Sequence, residues 1–222
     1  RVSHGVGRQW NPAKMTTASR NTMLHWLVFA RMPVILLVLV LVSAVLTQGG
    51  FLQTDNLVNV LRQVSFEGLI AFGMTMVIVT GGIDLSVGSL VAVTGVAAAL
   101  AMQAMPNASP TIRIATGFLC AVALGAGTGA ASGAMIARFT VPPFIVTLAA
   151  MLIARGAAFI LCGGKPVYQL PEELMWWGRG FVFESLLGRL LPTPVLVMLC
   201  GYVVFLVLFT RTVFGRSVIA VG

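Results

Sequence analysis

Apolar residues in this chain come in runs too long for an ordinary soluble helix. The first, 26–47, makes about 33 Å of helix, enough to cross a hydrocarbon core of about 30 Å. Arg31 and Pro33 fall in its first turns, where arginine can snorkel and proline removes no needed hydrogen bond. A polar connection at 48–55 follows. The next stretch, 56–105, would make about 75 Å of helix, far more than one crossing needs. It must break, and the sequence offers one place: Gly81-Gly82-Ile83-Asp84-Leu85-Ser86-Val87-Gly88-Ser89. Adjacent glycines can end a helix, one of them in the left-handed conformation. Asp84 can then cap the next helix through its free N–H groups. The pattern predicts spans at 57–80 and 85–105, with Arg62 and Glu67 toward the headgroups.

Three more spans follow. One covers 112–137 after a short turn at 106–111. One covers 142–163, opened by Pro142-Pro143, and one covers 194–210, opened by Thr193-Pro194; proline suits a first helical turn. Along the fourth span Gly117, Ala121, Gly125, Gly129 and Gly133 are small and spaced by four, a stripe that lets another helix approach closely in lipid. The longest connection, 164–193, carries Glu172, Glu173, Trp176, Trp177, Arg179, Glu184 and Arg189. Paired tryptophans suit a membrane–water boundary, so part of it is expected to be an interfacial helix. The fold class expected is all-α: a polytopic transmembrane bundle of about six spans, with a basic cytoplasmic tail at 1–25 and a membrane domain at 26–222.

Composition agrees. Of 222 residues 58% are hydrophobic and 9% charged, against about 25% charged in soluble domains. The net charge of +8 does not point to nucleic acid, because no basic patch carries interleaved aromatics. Five of the fourteen basic residues (Arg1, Arg8, Lys14, Arg20, Arg31) precede or begin the first run, the positive-inside pattern of a cytoplasmic tail. Six crossings put both ends on that side, with Arg138, Arg211 and Arg216. Arg62, Arg113, Lys165, Arg179 and Arg189 then fall outside.

Catalytic chemistry is not indicated. Gly163-Gly164-Lys165-Pro166 is not a phosphate loop, so ATP hydrolysis by that machinery is not expected. His4 and His25 lack companion ligands at metal spacing. Cys120, Cys162 and Cys200 form no disulfide framework. No nucleophile–base set stands out, and neither a bound cofactor nor a metal is expected. The polar centre of the apolar pattern is Asp84 and Ser86, flanked by Gly81, Gly82, Gly88 and Ser89. The simpler reading is a capped helical hairpin. The functional one is a helix break lining a solute path, because non-helical backbone at membrane depth is tolerated only inside protein or beside a watery cavity. Arg155, inside the fifth span, is a candidate as an intramembrane charge. It lies about 12 Å by helical rise from Gly163, so anchoring at the headgroups explains it equally well.

The segment from Gly73-Met74-Thr75-Met76-Val77-Ile78-Val79-Thr80 through Gly81 to Ser89 resembles the signature of permease subunits of ribose-type sugar ABC importers. Similar matches occur at Asp55-Asn56-Leu57-Val58-Asn59-Val60-Leu61, Pro143-Phe144-Ile145-Val146-Thr147-Leu148, Arg155-Gly156, Pro192-Thr193-Pro194 and Phe214-Gly215-Arg216. The resemblance implies a permease working as a homo- or heterodimer in the bacterial inner membrane. It implies a cytoplasmic ABC ATPase subunit that binds ATP-Mg, and a periplasmic sugar-binding protein that delivers a monosaccharide. Arg211 and Arg216 would lie nearest the ATPase-coupling surface. Members of that family are longer, so a fragment or a truncated form is expected here. The alternatives are an ion-coupled secondary transporter, for which only Asp84 offers an intramembrane carboxylate, and a non-transporting fragment.

Overall fold

The computed structural model describes residues 31–222. The basic tail with Arg1, Arg8, Lys14 and Arg20, both histidines, and the opening of the expected first span lie outside the described residues. Nine α-helices occur among the described residues: α1 (Arg31–Leu46), α2 (Thr54–Val79), α3 (Val87–Gln103), α4 (Pro110–Phe139), α5 (Pro143–Leu161), α6 (Glu172–Arg179), α7 (Glu184–Leu187), α8 (Thr193–Arg211) and α9 (Val213–Val221). No β-strand occurs among the described residues; Phe181 and Pro192 form an isolated antiparallel bridge.

Four helices, α2, α4, α5 and α8, are long and apolar enough to span a membrane, and α1 and α3 are shorter apolar helices. These six correspond to the six expected spans, and the ends of α2–α5 and α8 agree to within three residues. At 26 and 30 residues, α2 and α4 are about 39 and 45 Å long, so they tilt or project beyond the hydrocarbon. The helix α9 was not foreseen. Its nine residues are too few to register as a run, and its start rests on one cap: Thr212 is extended, and its Oγ1 accepts from Gly215 N at 3.2 Å.

The chain forms two compact units, one ending at Leu57 and the other running from Val58 to Gly222. In the first, α1 closes through Gly49 in the left-handed region (φ 87), whose N–H donates to Ala44 O at 2.7 Å. There the Asn56 side chain also donates to Phe51 O at 2.8 Å.

In the second unit α3 packs against α4 and α5 around Val93, Ala154 and Ala158, with Leu90 and Ala157 beside them. Lipid supplies no hydrophobic drive between helices, so close packing of small residues carries the association. Gly117 is buried against Met102 of α3, and a β-carbon there would stand 3.0 Å from Ala98 O. A β-carbon at Gly201 of α8 would stand 2.7 Å from Leu69 of α2, and Phe72 of α2 stacks on Phe205 at 5.3 Å. Elsewhere large apolar side chains such as Phe118, Ile153, Phe159 and Val204 are exposed, as a lipid-facing surface requires.

The small-residue stripe is used at one end only. Gly117 is packed, whereas Gly125, Gly129 and Gly133 face open space. Helix geometry explains this: steps of four residues advance about 40° beyond a full turn, so Gly133 lies about 160° around α4 from Gly117.

Candidate functional site

The predicted break lies between α2 and α3. Helix α2 ends at Val79, and Gly81 adopts φ 74. Gly81 N donates to Ile78 O at 2.9 Å and Gly82 N to Val77 O at 3.0 Å. These two bonds and the left-handed glycine form a Schellman termination, the stop that the paired glycines imply. Residues 82–86 carry no regular structure before α3 begins.

Asp84 organises this segment differently from the capping expected of it. Its Oδ1 accepts from Ser86 N at 2.7 Å and from Ser86 Oγ at 2.6 Å. Asp84 stands two residues before the N-cap of α3, so it reaches the Ser86 N–H and not the free N–H groups beyond. Ser86 is the N-cap, but its hydroxyl donates backward to Asp84 and caps nothing in α3. The short loop is thus an Asx turn closed by a charge-assisted pair. Ser86 is buried and Asp84 half-buried. Gly88 is exposed, with no atom near where its β-carbon would stand, and Ser89 is half-buried in the first turn of α3.

The break rests on the start of α5. Thr147 Oγ1 donates to Ile83 O at 3.1 Å, and a β-carbon at Gly82 would stand 3.9 Å from Pro143 Cβ. Thr147 was missed as a site residue. The only signal for it was a hydroxyl inside the apolar string Phe144-Ile145-Val146-Thr147-Leu148. A β-carbon on Gly222, just beyond α9, would stand 3.1 Å from Thr80 Cα, so the end of α9 lies at the same end of the bundle.

The opposite end is held by the long connection after α5. Arg62 Nη2 donates to Arg179 O at 2.8 Å, Arg113 Nε to Met102 O at 2.9 Å and Arg113 Nη2 to Gln169 O at 3.2 Å. The Gln103 side chain donates to Tyr168 O. Two guanidiniums approach the Phe181 ring, with Arg62 4.8 Å and Arg189 5.8 Å from its centroid. Arg62, Arg113, Arg179 and Arg189 therefore share one end. Arg138 and Arg211 sit in the last turns of α4 and α8 at the other, where Arg216 follows in α9. The short helix α6 presents exposed Trp176 and Trp177 edge to face, as expected of an interfacial segment.

Arg155 does not join the break. It is exposed on α5, eight residues or about 12 Å of rise beyond Thr147, and makes no hydrogen bond or ion pair among the described residues. Glycines 117, 125, 129 and 133 also lie apart from the break, on α4. A groove of about 870 Å3 between α3, α4, α6 and α8 is lined by Met102, Ile114, Phe118, Trp177 and Val197, with Glu173 at its side. It lies toward the far end of α3, and its apolar walls offer few partners to a hydroxylated solute. The break, by contrast, concentrates a carboxylate, hydroxyls and non-helical backbone.

Comparison with known proteins gives this geometry a context. Residues 56–222 match the family described as branched-chain amino acid transport system, permease component. The chain belongs to that permease family. It is 38% identical over 189 residues to the ribose import permease protein RbsC of Bacillus subtilis, covering 84% of this chain and 55% of that protein. It is 36% identical over 200 residues to RbsC of Escherichia coli, covering 89% and 59%. It is 36% identical over 198 residues to the L-arabinose ABC transporter permease protein AraH of Azospirillum brasilense, covering 89% and 55%. The chain thus spans between half and two thirds of the length of these relatives. No solved structure matches it. Family and helix set together make this permease a multi-pass helical membrane protein, and the match takes in both the break and the α5 segment that supports it.

Proposed function

We propose that this chain forms the membrane-spanning part of a binding-protein-dependent ABC importer that carries a monosaccharide across the bacterial inner membrane. The observation that carries the reading is the family match over residues 56–222, joined to relatives whose names specify ribose and L-arabinose. The transport path is assigned to the break. Asp84 Oδ1 is taken up by Ser86, while its second oxygen has no partner among the described residues and can accept from a solute hydroxyl or a water. Gly81, Gly82, Gly88 and Ser89 keep that segment open and polar.

The permease would not itself hydrolyse ATP. A separate ABC ATPase carrying ATP-Mg would dock at the end holding Arg138, Arg211 and Arg216, and the basic N-terminal tail would lie in the cytoplasm. A periplasmic sugar-binding protein would meet the end organised by Arg62 and Arg113. A second permease subunit would complete the passage, and exposed Arg155 would serve as a headgroup anchor.

The test expresses the full-length permease with its ATPase and binding protein in cells lacking ribose, arabinose and galactose uptake. Saturable accumulation of a labelled sugar, lost with a hydrolysis-deficient ATPase, is the expected result. Uptake that survives loss of the ATPase and collapses with a protonophore would replace this reading with ion-coupled transport.

A further inference from the structure

A helix break in a membrane protein leaves backbone carbonyls without their usual partners, and hydrocarbon offers none. At Ile83 that gap is filled by one side chain, the hydroxyl of Thr147, which donates to the Ile83 carbonyl at 3.1 Å. Thr147 is 4% exposed and lies about 6 Å along α5 from Pro143. Its hydroxyl is also 3.3 Å from Phe144 O in its own helix, so it straddles α5 and the break. Other helical threonines behave differently. Thr75, Thr94, Thr116, Thr128 and Thr210 all return their hydroxyls to carbonyls three or four residues back. Thr147 reaches across 64 positions of sequence.

The carbonyl it holds belongs to the residue just before Asp84. Asp84 is thus fixed from both sides: by Thr147 through the Ile83–Asp84 peptide, and by Ser86 through its carboxylate. We infer that Thr147 is a positioning residue for the transport path: its hydroxyl ties the Ile83 carbonyl to α5, holds Asp84 in place, and makes the break follow any shift of α5. This rests on the assignment of the path to the break. The hydroxyl, not the shape of the side chain, is the working part. Valine has the same shape without the donor, and serine has the donor without the methyl.

The test compares T147V and T147S in the full-length permease within its assembled transporter, alongside D84N. With T147V the maximal uptake rate falls about tenfold at equal membrane content, with little change in half-saturating sugar, because the Ile83 carbonyl loses the donor that ties it to α5. T147S stays within about twofold of the parent protein, since the donor is kept. A second readout needs no transport: amide hydrogen exchange of residues 80–90 in lipid nanodiscs quickens about tenfold in T147V and is unchanged in T147S. Parent-like uptake and exchange in T147V overturn the inference. So does the reverse order, T147V normal and T147S impaired, which would make the role one of packing. If D84N abolishes uptake while T147V matches the parent, the Thr147 inference falls and the path assignment stands. If D84N transports normally, the path assignment falls and takes with it any transport role for Thr147.

Discussion

Asp84 and Ser86 are bonded twice through one carboxylate oxygen, by the Ser86 N–H at 2.7 Å and by its hydroxyl at 2.6 Å. S86A removes the second bond while leaving the first. A hydrogen bond to a charged group contributes about 1.5–3 kcal/mol, discounted here because Asp84 is partly exposed to its surroundings. The variant should insert normally and lose uptake by about three- to tenfold, with D84N losing more. Uptake assays normalised to membrane content decide it, and equal effects of the two changes would count against the Asp84 oxygen as the working group.

Gly81 and Gly82 look alike in sequence, yet their replacements should differ. Gly81 has φ 74, where an L side chain costs about 1–2 kcal/mol. Gly82 has no such constraint, though a β-carbon would press on Val77 at 3.2 Å. G81A should therefore lower thermal stability in detergent more than G82A. The opposite order would show that the termination is not held by the left-handed glycine.

On α4, G117A and G129A separate packing within the chain from everything else. A methyl at Gly117 strikes Met102 and approaches Ala98 O, and overpacking of that kind costs about 1–3 kcal/mol. At Gly129 it meets nothing. Unfolding in mixed micelles should show a lowered midpoint for G117A and none for G129A. A loss of complex assembly in G129A with unchanged folding would reveal that another polypeptide covers that face.

Arg62 joins the start of α2 to the long connection through the Arg179 carbonyl and the Phe181 ring. R62A should free this segment and raise its cleavage by added protease several-fold. R62K should recover only part of the protection, because an ammonium lacks the planar fork that serves two acceptors at once. Limited proteolysis of right-side-out vesicles measures both. It also checks that the segment faces outward, since protection in both variants would place it inside.

Much of this architecture was legible because hydrocarbon imposes coarse rules. Long apolar runs had to be helices, and the paired glycines had to stop one of them. Asp84 and Ser86 both stood out as polar amid apolar sequence, but their pairing did not, since an Asx turn and an N-cap use the same residue types. Thr147 was hidden because a threonine in a helix ordinarily bonds its own backbone. The glycine stripe is packed within the chain only at Gly117, because spacing by four reads as one face over two steps and as two faces over four. The turn into α9 depends on a single threonine cap, too small a signal to rise above the apolar run before it.

The far end of the bundle has a further consequence. Arg62, Gln103 and Arg113 all donate to the connection's peptide carbonyls at 179, 168 and 169, and Arg62 adds a contact with the Phe181 ring. Every residue supplies such an oxygen, so Tyr168 and Arg179 can change identity without losing these bonds, whereas Gln169 is restricted by its left-handed backbone at φ 62. Raised salt would weaken the Arg189–Glu184 pair of the connection more than these carbonyl contacts. A surface held in this way can drift toward new docking partners while the helices beneath it keep their alignment.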